Sequence, residues 1–92
     1  MARETTVTVV LPDPLVRLFP DAQRQVEVEA ATVGDMLDAL DARWPGMRDR
    51  LADSRPAVRR HINIFVDGQR ARLETGLAPG TRVHVFTAMS GG

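Results

Sequence analysis

The feature of this sequence that most constrains its fold is a change in hydrophobic period, from two to helical spacing and back to two. Residues 5–11 and 23–30 alternate between apolar and polar side chains, so each predicts a strand with one buried face. Residues 32–44 have helical spacing instead, and Thr32 is suited to cap the helix that follows it. The apolar stripe of this helix is Val33, Met36, Leu37, Leu40 and Trp44. The first half of the chain therefore predicts a hairpin followed by one main helix.

The second half of the chain returns to strand periodicity. Residues 61–67 and 82–88 alternate, with β-branched residues on one face of each segment. Between them, Asp67-Gly68 is a strong signal for a two-residue hairpin turn, and we expect it to lead into a short polar edge strand over residues 69–73. The predicted order is thus strand, strand, helix, strand, strand, strand.

This order predicts an α+β fold in which a mixed five-stranded sheet carries one main helix on one face. The helix supplies the crossover that parallel neighbours in a mixed sheet require, and the whole is a ubiquitin-like β-grasp. Short helical turns are expected at residues 15–19 and 47–51. We predict a β-grasp domain over residues 1–87 and a flexible C-terminal arm over residues 88–92.

Composition excludes several classes of function. The chain has no cysteine, which removes disulfides, thiolate metal sites and a cysteine nucleophile, and favours a cytoplasmic location. Twelve basic residues, all arginine, balance twelve acidic ones, so no net charge points to nucleic acid or an anionic membrane. The N-terminus is not typical of a signal peptide, and no apolar run approaches membrane-spanning length.

Two features are candidates for function. The sequence ends on Gly91-Gly92, a terminus without side chains, although a frayed glycine-rich end is the alternative interpretation. If the third and last strands are neighbours, Phe65 and Phe86 both point away from the helix and form an exposed aromatic patch at the root of the arm. The alternative is that one phenylalanine folds over an edge of the core. Arg82 and His84 share the outer face, where they are expected to orient a partner.

No catalytic constellation is present in the sequence. His61 and His84 are expected on adjacent strands, but two histidines without a third ligand do not make a metal site, so no metal is predicted. There is no glycine-rich phosphate loop, nucleophile elbow or paired-acid site. The arginines between residues 48 and 60 are diluted by acids and lack an aromatic platform, which indicates a solvated loop. We therefore expect a protein that is not itself an enzyme.

Three segments carry a resemblance to a known family: His-Ile-Asn-Ile-Phe-Val-Asp-Gly at residues 61–68, Leu-Ala-Pro-Gly-Thr at 77–81 and Thr-Ala-Met-Ser-Gly-Gly at 87–92. Together with the β-grasp pattern, they resemble the MoaD/ThiS family of sulfur-carrier proteins over essentially the whole chain. Residues 44–60 are similar to the longer branch of that family, which includes carriers that serve cysteine synthesis. Members often differ from this chain in the loop at residues 79–81, and many have a small aliphatic residue where Ser90 stands.

The resemblance implies a protein co-substrate. An ATP-dependent activating enzyme of the MoeB/ThiF type would adenylate the Gly92 carboxylate, and a sulfur donor would convert the acyl-adenylate to a thiocarboxylate. A sulfur-accepting biosynthetic enzyme would then receive the sulfur. ATP belongs to the activating enzyme, so no bound cofactor is expected on this chain. Met89, Ser90 and Gly91 would enter the narrow channel of the activating enzyme, and Phe86 with its neighbours would dock against a partner.

Two other functions remain compatible with the sequence. A ubiquitin-like modifier would need the same tail and the same activation, and the absence of lysine rules out only chains built on its own lysines. A plain β-grasp interaction module would carry the tail incidentally. Among sulfur carriers, the sequence leaves open whether the sulfur goes to molybdopterin, thiamin, cysteine or thiolated tRNA.

Overall fold

The structure of the protein, a computed structural model, describes residues 5–19, 21–52 and 62–87 of the 92-residue chain. Its elements in chain order are β1 (Thr6–Val10), α1 (Asp13–Leu18), β2 (Gln25–Glu29), α2 (Val33–Arg43), α3 (Met47–Leu51), β3 (Ile62–Val66), β4 (Gln69–Arg70) and β5 (Arg82–Thr87). Among the described residues, no helix has the length and apolar character needed to cross a membrane.

The five strands form one mixed sheet in the order β2-β1-β5-β3-β4. β1 pairs antiparallel with β2 and parallel with β5, while β3 pairs antiparallel with both β5 and β4. The parallel pair β1–β5 requires a crossover, and the chain makes it through α2 and the segments that follow. The β-grasp arrangement predicted from the order of elements is confirmed.

α2 begins where the sequence predicted it. The Thr32 side chain accepts a hydrogen bond from the Asp35 backbone N–H at 3.1 Å, which satisfies one of the open donors of the first turn. Val33, Met36, Leu37 and Leu40 are fully buried along one stripe. The predicted stripe also included Trp44, which lies one residue beyond the helix and is only partly buried, because the residue before a proline is held out of the helical conformation.

The core lies between the α2 stripe and the inner face of the sheet. Every strand except the short β4 contributes alternating side chains to it, as the period-two pattern predicted. Eight of these strand residues are buried: Val7, Val9, Val26, Val28, Ile62, Ile64, Val83 and Val85. The inner face of the sheet is therefore covered, whereas outward residues of the described strands such as Arg82 and Phe86 are exposed.

The short helices cover the ends of this core. α1 begins at Asp13, two residues before the predicted turn, because Pro14 suits the first turn of a helix. α3 forms at the predicted residues, and the Asp41 carboxylate starts it by accepting the backbone N–H groups of Gly46 at 3.0 Å and Arg48 at 3.1 Å. An acidic residue of α2 thus supplies the cap that α3 lacks in its own sequence.

The hairpin turn is confirmed, but the strand after it is shorter than predicted. Asp67 and Gly68 both have positive φ, 52° and 82°, as a type I′ turn requires. β4 then spans only Gln69–Arg70, not residues 69–73. The chain leaves the sheet because the carbonyl of Leu73 accepts the Gly34 N–H at 2.8 Å, which draws this segment to the first turn of α2.

Some sequence predictions fall on residues outside the described ranges. These are the polar connection at residues 53–60, His61 at the start of the third predicted strand, and Ala88 at the end of the last one. The boundary between domain and arm also stays a prediction, since Thr87 is the last described residue.

The packing of α2 predicts the cost of truncating its stripe. Leu40→Ala removes a fully buried side chain and should lower the free energy of unfolding by about 2–5 kcal/mol. The matched control is Leu18→Ala, because Leu18 is 50% exposed and its loss should change stability by no more than about 0.5 kcal/mol. Urea denaturation of the two variants measures both values, and equal losses would contradict the assignment of Leu40 to the core.

Candidate functional site

The central strand β5 sets the character of the outer face. Val83 and Val85 point inward to the core, so Arg82, His84 and Phe86, which alternate with them along the strand, point outward. The antiparallel register with β3 places Phe65 opposite His84 and Asn63 opposite Phe86. The third and last strands are therefore neighbours, as the aromatic-patch hypothesis required.

Three rings come together on this face. The ring centroids of Phe65 and Phe86 lie 5.8 Å apart at an interplanar angle of 72°, an edge-to-face contact. The His84 ring is stacked on Phe86 with centroids 6.0 Å apart and planes 7° from parallel. We call Phe65, His84 and Phe86 the aromatic strip. Neither phenylalanine folds over an edge of the core, so that alternative is wrong.

The aromatic strip is uncovered at the end of β5. Phe86 is 48% exposed, and with Leu18 it is one of two large hydrophobic side chains that stand exposed among the described residues. Phe65 is half-buried, because the Phe86 ring contacts it. An exposed aromatic side chain supported by a second ring is the kind of feature that anchors protein interfaces.

Arg82 takes a different direction from the strip. Its Nη1 donates to the Gln25 side-chain oxygen at 3.4 Å, so the guanidinium reaches across β1 toward β2. The structure thus brings together three of the four outer-face residues that the sequence proposed and places Arg82 to one side. Arg82 is exposed and remains available at the border of the strip.

The sequence interpretation missed a polar pair beside the strip. Arg70 Nη2 donates to Asn63 Oδ1 at 2.7 Å, on the side of the strip opposite Arg82. The hairpin register pairs Arg70 with Phe65 and so brings it to this face. The Asp67-Gly68 turn contained the signal, because a two-residue turn fixes which residues lie opposite each other.

The C-terminal residues to which the sequence analysis assigns the chemistry follow β5 in the chain. Met89, Ser90, Gly91 and Gly92 lie outside the described residues, as does His61, and their roles stay predictions. What the structure describes is the strand that leads to them: Phe86 is six residues before the last position, and Thr87 is paired with Ile62. The aromatic strip therefore lies next to the point where residues 88–92 begin.

Within residues 5–19, 21–52 and 62–87, no three His, Cys, Asp or Glu side chains are grouped closely enough to hold a metal ion. Every buried side-chain polar atom in that part of the chain has a hydrogen-bond partner. The exposed side chains of the outer face include the Phe86 ring, the guanidinium groups of Arg70 and Arg82, and the carboxylates of Glu27 and Glu29, which suit docking.

The sequence matches a family profile over most of its length. Residues 9–92 match the ThiS family. The chain is 33% identical over 92 residues to the sulfur carrier protein CysO of Mycobacterium tuberculosis, an alignment that covers 94% of this chain and 98% of that protein. It is 36% identical over 84 residues to small archaeal modifier protein 1 of Haloferax volcanii, covering 83% of this chain and 97% of that one.

The fold is also found in solved structures. A chain in the crystal structure of the Amycolatopsis orientalis BexX/CysO complex superposes with a TM-score of 0.82 at 28% sequence identity. The superposition covers 94% of this chain and 99% of that chain. This similarity supports the ubiquitin-like β-grasp over the full length of the domain.

The ring geometry predicts an energetic coupling within the strip. In a double-mutant cycle, Phe65→Ala and Phe86→Ala should be coupled by about 0.5–1.5 kcal/mol in unfolding free energy, since the two rings are in edge-to-face contact. Urea denaturation of both single variants and the double variant gives the value. The control pairs Phe86→Ala with Leu73→Ala, since the Leu73 backbone contacts the first turn of α2 and not the strip. The losses of unfolding free energy of these two variants should add within about 0.5 kcal/mol. Additivity of the two phenylalanine variants would contradict the contact.

Proposed function

The chain belongs to the ThiS family, and from that premise we propose that it is a sulfur carrier whose Gly92 carboxylate becomes a thiocarboxylate. The observation that carries the proposal is the extent of the similarity. The family match continues to residue 92, and the relative named as a sulfur carrier aligns over 94% of this chain. The matched range includes the Gly-Gly end of this chain, which supports the proposal.

The proposed chemistry begins with activation of a poor electrophile. A carboxylate repels nucleophiles and has no good leaving group, so an oxygen of Gly92 first attacks the α-phosphate of ATP and pyrophosphate leaves. Hydrosulfide then adds to the acyl carbon of the adenylate, the bond to AMP breaks as AMP leaves, and loss of the remaining S–H proton gives the thiocarboxylate. Gly91 and Gly92 favour this reaction because a backbone without side chains approaches a narrow catalytic site closely.

The aromatic strip is the proposed docking surface for the partner proteins. Phe86 and Phe65 would provide the apolar contact, with His84 and Arg82 orienting the partner at the border. Met89 and Ser90 would follow into the channel of the activating enzyme, which we propose is of the MoeB/ThiF type and uses the ATP. A relative occurs in a complex with the protein BexX, which supports partner binding by this chain as well.

A second candidate function is protein modification. It is favoured by the 36% identity to small archaeal modifier protein 1, which covers 97% of that protein. In this case the activated Gly92 would form an amide with an amine of another protein instead of taking up sulfur. Both functions use the same carboxylate, whereas a plain interaction module would not use it.

The mass of the protein after incubation with the activating enzyme distinguishes these functions. We expect the full chain, incubated with ATP, a sulfide source and the activating enzyme of its own organism, to gain the mass of one sulfur exchanged for one oxygen. Intact-protein and fragment mass spectrometry should locate the gain on Gly92, and deletion of Gly92 should abolish it. Covalent attachment to other proteins in cell extract, without the mass gain, would favour the modifier. If neither change occurs although the activating enzyme is demonstrably active, the interaction module is the function that remains.

Docking through the strip has its own test. Phe86→Ala should raise the KM of the activating enzyme for this protein about tenfold or more, because it removes the exposed ring at the root of the arm. Phe86→Leu should restore part of the loss, and Leu18→Ala, which removes another exposed apolar side chain, should leave KM near the wild-type value. An unchanged KM for Phe86→Ala would contradict the docking role and leave the chemistry at Gly92 untouched.

A further inference from the structure

The edge strand β2 presents open backbone groups. Among the described residues its only partner strand is β1, and the antiparallel ladder is bounded by hydrogen bonds from Leu11 N–H to the Arg24 carbonyl at 2.6 Å and from Ala30 N–H to the Thr5 carbonyl at 2.8 Å. Successive residues of a strand point their N–H and C=O groups to opposite sides. The backbone groups of Gln25, Glu27 and Glu29 consequently face away from β1, toward the open edge of the sheet.

A hydrogen bond from Arg43 confirms that the Glu27 carbonyl faces the open edge, and it partly closes that edge. Arg43 Nη2 donates to the Glu27 backbone carbonyl at 3.0 Å, from the last residue of α2. Arg43 is exposed, so its side chain moves away from this carbonyl at little cost. The hydrogen bond therefore satisfies the central acceptor of the edge without covering the strand.

A cleft runs between this edge and α2. Its lining comes from β2 and α2, with one residue of β1: Thr6, Glu27, Val28, Glu29, Ala39, Ala42 and Arg43. Ala39 and Ala42 leave room above the helix surface, where longer side chains would fill the space. Side chains of a strand added to β2 would alternate between this cleft and the outer face.

The outer side of the edge is acidic. Glu27 and Glu29 are exposed, and in the described part of the chain neither carboxylate is in an ion pair. Opposite charges on directly opposed residues of neighbouring strands stabilise the pair, and like charges destabilise it. A second copy of this chain is therefore a poor occupant, because antiparallel pairing centred on Glu27 would set two carboxylates against each other.

We propose that the β2 edge and its cleft bind an extended segment of a partner protein as an additional strand, and that this segment alternates basic with small apolar residues. The basic side chains lie on the outer face beside Glu27 and Glu29, and the apolar ones enter the cleft above Ala39 and Ala42. Backbone groups of the segment pair with the open groups of β2 and replace the Arg43 hydrogen bond at Glu27.

This surface is separate from the aromatic strip and does not depend on the proposed sulfur chemistry. β1 lies between β2 and β5, so an added strand stands three strand positions from β5. At the spacing of neighbouring strands, that is a distance of roughly 14 Å. An added strand on this edge therefore makes no backbone contact with β5.

NMR titration of the full-length protein with a short peptide tests the proposal. The probe is an acetylated and amidated peptide of sequence Gly-Lys-Val-Lys-Val-Lys-Gly, and the control is the same peptide with glutamate in place of each lysine. We expect the lysine peptide to shift the amide signals of Gln25, Glu27 and Glu29 and the control peptide to leave them in place. Shifts confined to Arg82–Thr87, or none at millimolar peptide, would overturn the proposal.

Two variants at one position separate strand pairing from charge attraction. Glu27→Gln removes the carboxylate and should weaken binding about twofold, as an exposed charge pair does. Glu27→Pro also removes the outward N–H while sparing the ladder to β1, so it should weaken binding about fivefold further. Unchanged amide signals of β3 and β5 establish that the proline variant is folded. Equal affinities of the two folded variants would overturn strand addition.

Discussion

The pairing of β5 between β1 and β3 is the constraint on which the other features of this structure depend. A strand that pairs on both sides at the centre of a sheet has its inner side chains fully covered, and Val83 and Val85 are 0% and 2% exposed. Parallel pairing with β1 also requires a crossover connection, in which α2 covers the inner face. Because α2 covers only that face, the outward residues of β5 stand in the middle of an open surface. The ladder with β3 continues to Thr87, which pairs with Ile62, so β5 is held to the sheet up to its last residue.

Much of this fold was predictable because the period of a strand is set by backbone geometry and not by tertiary context. The alternation along residues 82–87 assigned Val83 and Phe86 to opposite faces correctly, and the Asp67-Gly68 turn fixed the hairpin. The length of β4 was not predictable in the same way. It ends at Arg70, and the chain then turns toward the hydrogen bond between Leu73 and Gly34. That contact joins segments about forty residues apart in the chain, which no local pattern encodes.

In the candidate site, too, the features set by strand periodicity were predictable and the contacts between distant segments were not. The aromatic strip followed from periodicity once the two strands were neighbours, since Phe65 and Phe86 then had to share a face. The polar contacts around it depend on side-chain directions between distant segments, as when Arg82 reaches Gln25. Arg43 on the Glu27 carbonyl is another such contact, and it marks an edge that the sequence showed only as alternating residues. The chemistry assigned to Gly92 rests on family membership and composition, because that residue lies outside the described structure.

The two surfaces differ in a way that bears on how a carrier works. The aromatic strip has Arg70 and Arg82 at its borders, whereas the β2 edge has Glu27 and Glu29 on the same outer face. A sulfur carrier must present one C-terminal end to two enzymes in turn, and these enzymes compete for the same residues. A segment paired along β2 would contact other residues, because β1 separates it from β5. Attachment there would keep the arm at high effective concentration near one enzyme while leaving the strip free. The opposite charges beside the strip and at the β2 edge would favour different partners, so binding at one surface would not exclude binding at the other.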